Sequence, residues 1–129
     1  MYPGTHATTA PDKPAYTLAP HGAAATTGSG ETVTYAQLDA ASNRFAHALR
    51  RSGLVLRDGI ALCLENHPRY YEIVWGAQRA GLYYTAASTR LTPGELEYIL
   101  NDCGAKVFVT SKALARLAEA VRDRIPGVH

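Results

Sequence analysis

Cysteine is scarce, long apolar runs are missing and neither sign of charge dominates. Only Cys63 and Cys103 occur among 129 residues, far apart and without CxxC spacing. That argues against a disulfide or a metal pair, and two reduced, packed thiols are expected. The five histidines, His6, His21, His47, His67 and His129, show neither HxxxH nor HExxH spacing, so no metal ligand is assigned. Thirteen basic against eleven acidic residues leave a net charge of +2, with the signs interleaved. Nothing therefore demands nucleic acid or an anionic membrane as partner. No apolar run approaches the roughly 18 residues that span a bilayer, and the start "MYPGTHATTAPDKP" lacks the apolar core of a signal peptide. A cytoplasmic protein without a transmembrane segment is expected.

Glycines for phosphate binding are missing too. GxxxxGK[ST] does not occur, so nucleotide hydrolysis has no support. Gly28, Ser29 and Gly30 precede an extended run instead of following one and opening a helix. The dinucleotide fingerprint fails there, and the fragment reads as a connector.

What is present is a globular pattern: 47% hydrophobic and 19% charged residues, in a chain long enough to bury about two-thirds of its unfolded surface. Residues 15–19 and 31–34 read as short extended runs joined by a Gly, Ala and Thr-rich loop, a loose hairpin. Thr34 and Gln37 then form a capping box, in which the threonine hydroxyl satisfies a first-turn amide and the glutamine reaches back to the cap's own amide. The helix so opened puts Leu38, Ala41, Phe45, Ala48 and Leu49 on one face, carries Arg50 and Arg51 at its negative end, and stops at Gly53. Arg44, His47 and Arg51 fall on the opposite, solvated face.

Residues 60–64, "IALCL", form a continuous apolar run, as a strand covered on both faces requires. Asn66 or His67 is the expected cap of the next helix, with Pro68 at its first position. Ile73, Val74, Ala77 and Ala80 form its buried stripe, and Gly81 closes it. A second strand is predicted at 82–86. Thr92 and Glu95 supply another capping box with Pro93 between them, Leu96, Ile99 and Leu100 the apolar face that follows, and Gly104 the stop. A third strand is predicted at 106–110, and Ser111 as cap of a last helix bearing Leu114, Leu117, Ala118, Val121 and Ile125, broken by Pro126 and Gly127.

Strands opening about every 23 residues leave room for one helix and two turns each, which is successive βαβ architecture. The expected fold is α/β: a three-stranded parallel sheet with flanking helices, preceded by a short β-hairpin, with residues 1–34 as extended arm and hairpin and 35–129 as the α/β units. Both outer strands of so small a sheet would present unpaired backbone edges. Strand-to-helix turns at the carboxyl edge of a parallel sheet are where such folds commonly bind ligands, and Asn66, His67, Ser88, Thr89 and Arg90 leave the first two strands there. No nucleophile, base and orienting group follow from their order, and helix capping, loop hydrogen bonds and a solvated arginine are the expected roles, ahead of a direct ligand contact. Asp39, Asp58, Glu97 and Asp102 read as surface or turn carboxylates. A phosphoacceptor would want acidic strand ends, and of Glu65-Asn66, Ala87-Ser88 and Ser111-Lys112 only the first is acidic.

The blocks "TYAQLDAASNRFAHALRRSGL", "LENHPRYYE", "AGLYYT", "RLTPGELEYI" and "NDCGAKV", with the start of the chain, resemble the amino-terminal region of AMP-forming acyl-CoA synthetases, members of the adenylate-forming superfamily. The resemblance covers essentially the whole sequence. It implies a partial amino-terminal subdomain of an AMP-binding domain whose full-length relatives activate a carboxylic acid with ATP and magnesium to an acyl-adenylate, then pass the acyl group to coenzyme A. The family's phosphate loop, adenine-contacting Thr-Glu segment, ribose-binding aspartate and late lysine match no segment here. No catalytic, cofactor-binding or metal residue is therefore carried over, no cofactor is expected for this chain, and a carboxyl-terminal truncation is expected. Its expected partner is the remainder of the synthetase domain, with self-association through an exposed sheet edge. The competing reading is a stand-alone interaction or scaffold module, and a third is a small enzyme acting near Asn66, His67 and Arg90. Three departures from the family bear on turn geometry: Arg57-Asp58-Gly59 stands where Gly-Asp is common, Ser88 where asparagine is frequent, and Gly94 enters a first helical turn at up to about 1 kcal/mol relative to alanine.

Overall fold

The computed structural model describes residues 2–20 and 30–129. In chain order the elements are helix α1 (Pro3–Thr9), strands β1 (Pro14–Leu18) and β2 (Glu31–Thr34), helix α2 (Tyr35–Arg51), β3 (Gly59–Cys63), α3 (Tyr70–Arg79), β4 (Tyr83–Ala86), α4 (Pro93–Asp102), β5 (Ala105–Thr110), a 3-10 turn (Lys112–Leu114) and α5 (Ala115–Arg122). β1 and β2 pair antiparallel. The loop expected between them, with His21, Gly28 and Ser29, lies outside the described residues.

The parallel sheet has the order β4-β3-β5, and β3 pairs in parallel with both neighbours. Alternation along β3 sends Ile60 and Leu62 to one face, under α2 and α3, and Ala61 to the other, under α4 and α5. On the first face Ala46, Leu49, Ile73, Val74 and Ala77 complete the core. On the second, Leu96, Leu100, Val121 and Ile125 cover the sheet. The expected α/β class and three-stranded parallel sheet are borne out.

Local signals explain most element ends. Both capping boxes form: Thr34 Oγ1 accepts from Gln37 N–H at 3.3 Å while Thr34 N–H donates to Gln37 Oε1 at 2.8 Å. Thr92 and Glu95 repeat the exchange at 3.4 and 2.8 Å. Gly53, Gly81 and Gly104 all adopt positive φ, the left-handed conformation in which a glycine ends a helix without a Cβ clash.

Four expectations need correction. The amino-terminal arm is not extended throughout, because Pro3–Thr9 is helical, with Pro3 at the position where its missing N–H costs nothing. That helix is held by docking: Tyr2 meets Trp75 edge-on at 6.0 Å and lies under the Arg79 guanidinium at 4.7 Å, while His6 packs on Tyr35 at 4.7 Å. Second, neither Asn66 nor His67 caps α3, which begins at Tyr70 after a turn in which His67 Nδ1 accepts from Arg69 N–H at 3.1 Å. Third, Ser111 does not cap the last helix; its hydroxyl is drawn away by a carboxylate described below. Fourth, the outer edge of β5 is partly engaged. His129 N–H donates to Lys106 O at 2.9 Å and its carbonyl accepts from Phe108 N–H at 2.8 Å, the bonding pattern of a parallel bridge opposite Val107. Strand limits otherwise differ from expectation by about one residue.

A polar network ties the first layer. Arg79 donates to Ser42 Oγ at 3.0 Å and Asn43 Oδ1 at 2.9 Å and pairs with Asp39. Ser42 is fully buried and its hydroxyl also donates to Asp39 O at 3.0 Å, so the polar group is satisfied.

Candidate functional site

The strand order creates one distinctive place. The helices that follow the adjacent strands β3 and β5 leave to opposite faces, α3 packing with one core and α5 with the other. Their departure opens a gap at the carboxyl ends of those strands, the topological switch point at which open α/β sheets bind ligands. A cavity of about 500 Å³ occupies it, floored by Phe45, Leu64, Ile73 and Val109 and rimmed by Glu65, His67, Arg69, Ser111 and Lys112.

The rim is wired across the two strands. Ser111 Oγ donates to Glu65 Oε2 at 2.6 Å, and Thr110 Oγ1 donates to Cys63 O at 3.0 Å. The Ser111 hydroxyl, then Glu65's own backbone N–H, hold the Glu65 carboxyl below its usual range. Arg69 is occupied by Glu72, at 3.1 Å through Nε and 2.5 Å through Nη2, and that pairing pushes the guanidinium further up. Burial, with Glu65 adding to it, raises the Cys63 thiol. It is therefore a poor thiolate.

This geometry orients and binds. It does not assemble a nucleophile, because Ser111 donates its hydrogen bond to a carboxylate whose depressed pKa makes it a weak base, and among the described residues no histidine hydrogen-bonds to either. Nor do the residues present fit ATP and magnesium. The turns at the strand ends supply Glu65, Ser88 and Ser111 instead of converging glycine amides with a lysine, and among the described residues no three His, Cys, Asp or Glu side chains converge on a cation position. No step is derived through either group.

Of the turn residues singled out in the sequence, His67 lines this cavity while Asn66 lines a neighbouring hollow of about 580 Å³ beside β1. Ser88, Thr89 and Arg90 line neither. Ser88 Oγ accepts from Arg90 N–H at 3.2 Å and closes its own turn, and Arg90 is exposed. Glu65, Ser111 and Lys112 were legible as strand ends but not as one site. The usable signal is a serine directly after one parallel strand where its neighbour ends in glutamate.

A sheet covered by helices on both faces, with a crevice but no reactive series, fits a part of a larger body. The family model described as AMP-binding enzyme matches residues 5–128, and the chain belongs to that family. A fatty acid–[acyl-carrier-protein] ligase, ScoC of Streptomyces coeruleorubidus, is 40% identical over 79 residues, 61% of this chain and 15% of ScoC. A feruloyl-CoA synthase of an Amycolatopsis species is 33% identical over 113 residues, 84% of this chain and 23% of that protein. The solved N-terminal domain of FACL13 from Mycobacterium tuberculosis superposes with a TM-score of 0.84 at 29% identity, covering 98% of this chain and 31% of that one. The chain thus spans less than a third of each relative. No helix among the described residues is long and apolar enough to cross a membrane.

Proposed function

We propose that residues 1–129 form a partial amino-terminal subdomain of a ligase that activates a carboxylic acid, with a fatty acid as the first candidate. In that reaction a carboxylate oxygen attacks the α-phosphorus of ATP, with magnesium assisting, and pyrophosphate leaves. A thiol sulfur then attacks the acyl carbon of the adenylate and AMP leaves. Coenzyme A is the proposed acceptor, and the names of the relatives also include a carrier-protein ligase. This chain supplies one flank of the α/β layer and contributes no catalytic, cofactor-binding or metal residue. Its partner is the remainder of the domain, in the cytoplasm. The observation that carries the reading is the superposition of 98% of the chain on part of a ligase N-terminal domain.

Two measurements test it. Pyrophosphate release by the isolated chain with ATP, magnesium, palmitate and coenzyme A is expected to be at background, and turnover would overturn the assignment of no catalytic residue. Exchanging the matching segment of the mycobacterial ligase for residues 1–129 should give a chimera that still forms the thioester. A folded but inactive chimera would favour the rival reading of a stand-alone interaction module.

A further inference from the structure

We propose that the hollow beneath α1 binds a quaternary ammonium group, the trimethylammonium head of a choline-like molecule. This goes beyond the ligase reading and stands or falls separately from it. The hollow lies where four elements meet, and each brings a ring to it: His6 from α1, Tyr16 from β1, Tyr35 from α2, and Tyr71 with Trp75 from α3. Three of the eight tyrosines and the single tryptophan of the chain thus share one small cavity of about 300 Å³, the lower end of small-molecule sites. The rings brace one another, Tyr16 against Tyr71 at 5.0 Å and His6 against Tyr35 at 4.7 Å between centroids. Among the described residues no Lys, Arg, Asp or Glu lines the hollow. An anion finds no cation there, and a primary ammonium finds no carboxylate to replace the water it would lose. A quaternary ammonium has no N–H to satisfy, and aromatic faces alone hold it. The surrounding field has the matching sign. Burial first, then the carboxylates of Glu72 and Glu31, push the Tyr16 phenol up to about 12, and charges that disfavour a phenolate favour a cation. The nearby guanidiniums are compensated, Arg69 by Glu72 and Arg79 by Asp39.

The probes are choline, its uncharged isostere in which a tert-butyl group replaces trimethylammonium, and ethanolamine. Each is titrated into the full chain and followed by the fluorescence of Trp75, the only tryptophan, and by amide chemical shifts. Saturable 1:1 binding of choline is expected, with both other probes weaker by about fivefold to thirtyfold and shift changes centred on residues 3–6, 35–38 and 71–75. Tyr71 is 49% exposed, so its replacement spares the core. Tyr71→Leu keeps apolar bulk, removes the ring face and should weaken choline binding about threefold to tenfold, while Tyr71→Phe should retain it. Tyr98→Leu removes an exposed ring outside the hollow and should change little. Phosphatidylcholine vesicles separate two sources of the same head: co-sedimentation that free choline competes away assigns a lipid headgroup, and choline binding without it assigns a free solute. Absence of saturable choline binding overturns the proposal. So does equal affinity for the uncharged isostere, which would mean a merely apolar hollow, an equal loss in Tyr98→Leu, or a shift map centred elsewhere, a readout that needs no variant to fold.

Discussion

Gly76 is where packing and helix propensity pull in opposite directions, and the structure decides the sign. It is buried inside α3 against α2. Alanine there would gain about 0.8–1.0 kcal/mol of helix propensity. A Cβ at this position would stand 2.7 Å from Phe45 Cδ1, 3.0 Å from Phe45 Cβ and 3.0 Å from Ser42 O. The ring edge can swing aside because Phe45 is only half-buried. The Cβ is bonded directly to the α2 backbone and the carbonyl is part of it, so both move only if the helix moves, and overpacking of that kind costs about 1–3 kcal/mol. Ser42 cannot follow freely, since Arg79 and Asp39 hold it from both sides. Gly76→Ala should therefore lower stability by about 0.5–2 kcal/mol net, read as the shift of the urea midpoint. In a Phe45→Ala background most of the penalty should remain, because alanine keeps the Cβ and Ser42 its carbonyl, and only the ring contact is gone. A variant more stable than the parent, or a penalty abolished in the double mutant, would refute the view that the close approach of the helix backbones fixes this glycine.

Arg57 has φ +72 and an exposed side chain with no hydrogen bond or ion pair among the described residues, so Arg57→Gly should relieve about 1–2 kcal/mol of left-handed strain and, after the entropy that glycine adds to the unfolded chain, raise the thermal midpoint slightly; a fall would refute this. Asp58, held down by Lys106 and the Val55 N–H, Glu65, held by Ser111, and Glu95, held by Thr92, all titrate below their ordinary values. A depressed carboxyl contributes stability above its unfolded pKa that is lost as pH falls through the folded one, so stability should decline below about pH 4.5, and Glu65→Gln should flatten that limb; a midpoint that rises on acidification would contradict it. Leu62→Ala empties a side chain that is 1% exposed and should cost about 2–5 kcal/mol, whereas Arg90→Ala should change little, and the reverse ranking in denaturation would reopen the Ser88–Arg90 turn. β4 pairs only through β3 and carries neither proline nor lysine, so the isolated chain should self-associate along that edge; sedimentation of a monomer at high concentration, or no gain in monomer from Tyr83→Lys, would count against it.

The parts of the fold that could be read in advance are those whose cause is local. Thr34 with Gln37 and Thr92 with Glu95 state their helix starts within four residues, and Gly53, Gly81 and Gly104 their ends within one. The continuous run before Glu65 marked the central strand because both faces of β3 are covered. What could not be read has distant causes. Pro3–Thr9 is helical because Tyr2 and His6 find Trp75, Arg79 and Tyr35, contacts that no propensity encodes. Ser111 was expected to cap because hydroxyls do so locally, yet its hydroxyl goes to Glu65, which only the β3–β5 pairing brings near. Arg57 shows a departure from a family pattern acquiring a meaning: where Gly-Asp is common, the backbone is left-handed.

The same division explains why the crevice and its chemistry are legible to different degrees. Its position is topological. Any chain ordered β4-β3-β5 in parallel, with α3 and α5 on opposite faces, must part at the ends of β3 and β5, so hydrophobic periodicity that fixes the strands also fixes the gap. The rim carries no such constraint. Glu65, His67 and Lys112 lie in turns after the core residues have been placed, where hydrophobic periodicity says nothing of their partners. Arg69 and Glu72 neutralise each other three residues apart, a local pairing, while Glu65 and Ser111 meet only across the β3–β5 pairing. The chemistry of a switch point is therefore set by hydrogen bonds between residues far apart in sequence, and those become visible only once the sheet has brought its strand ends together.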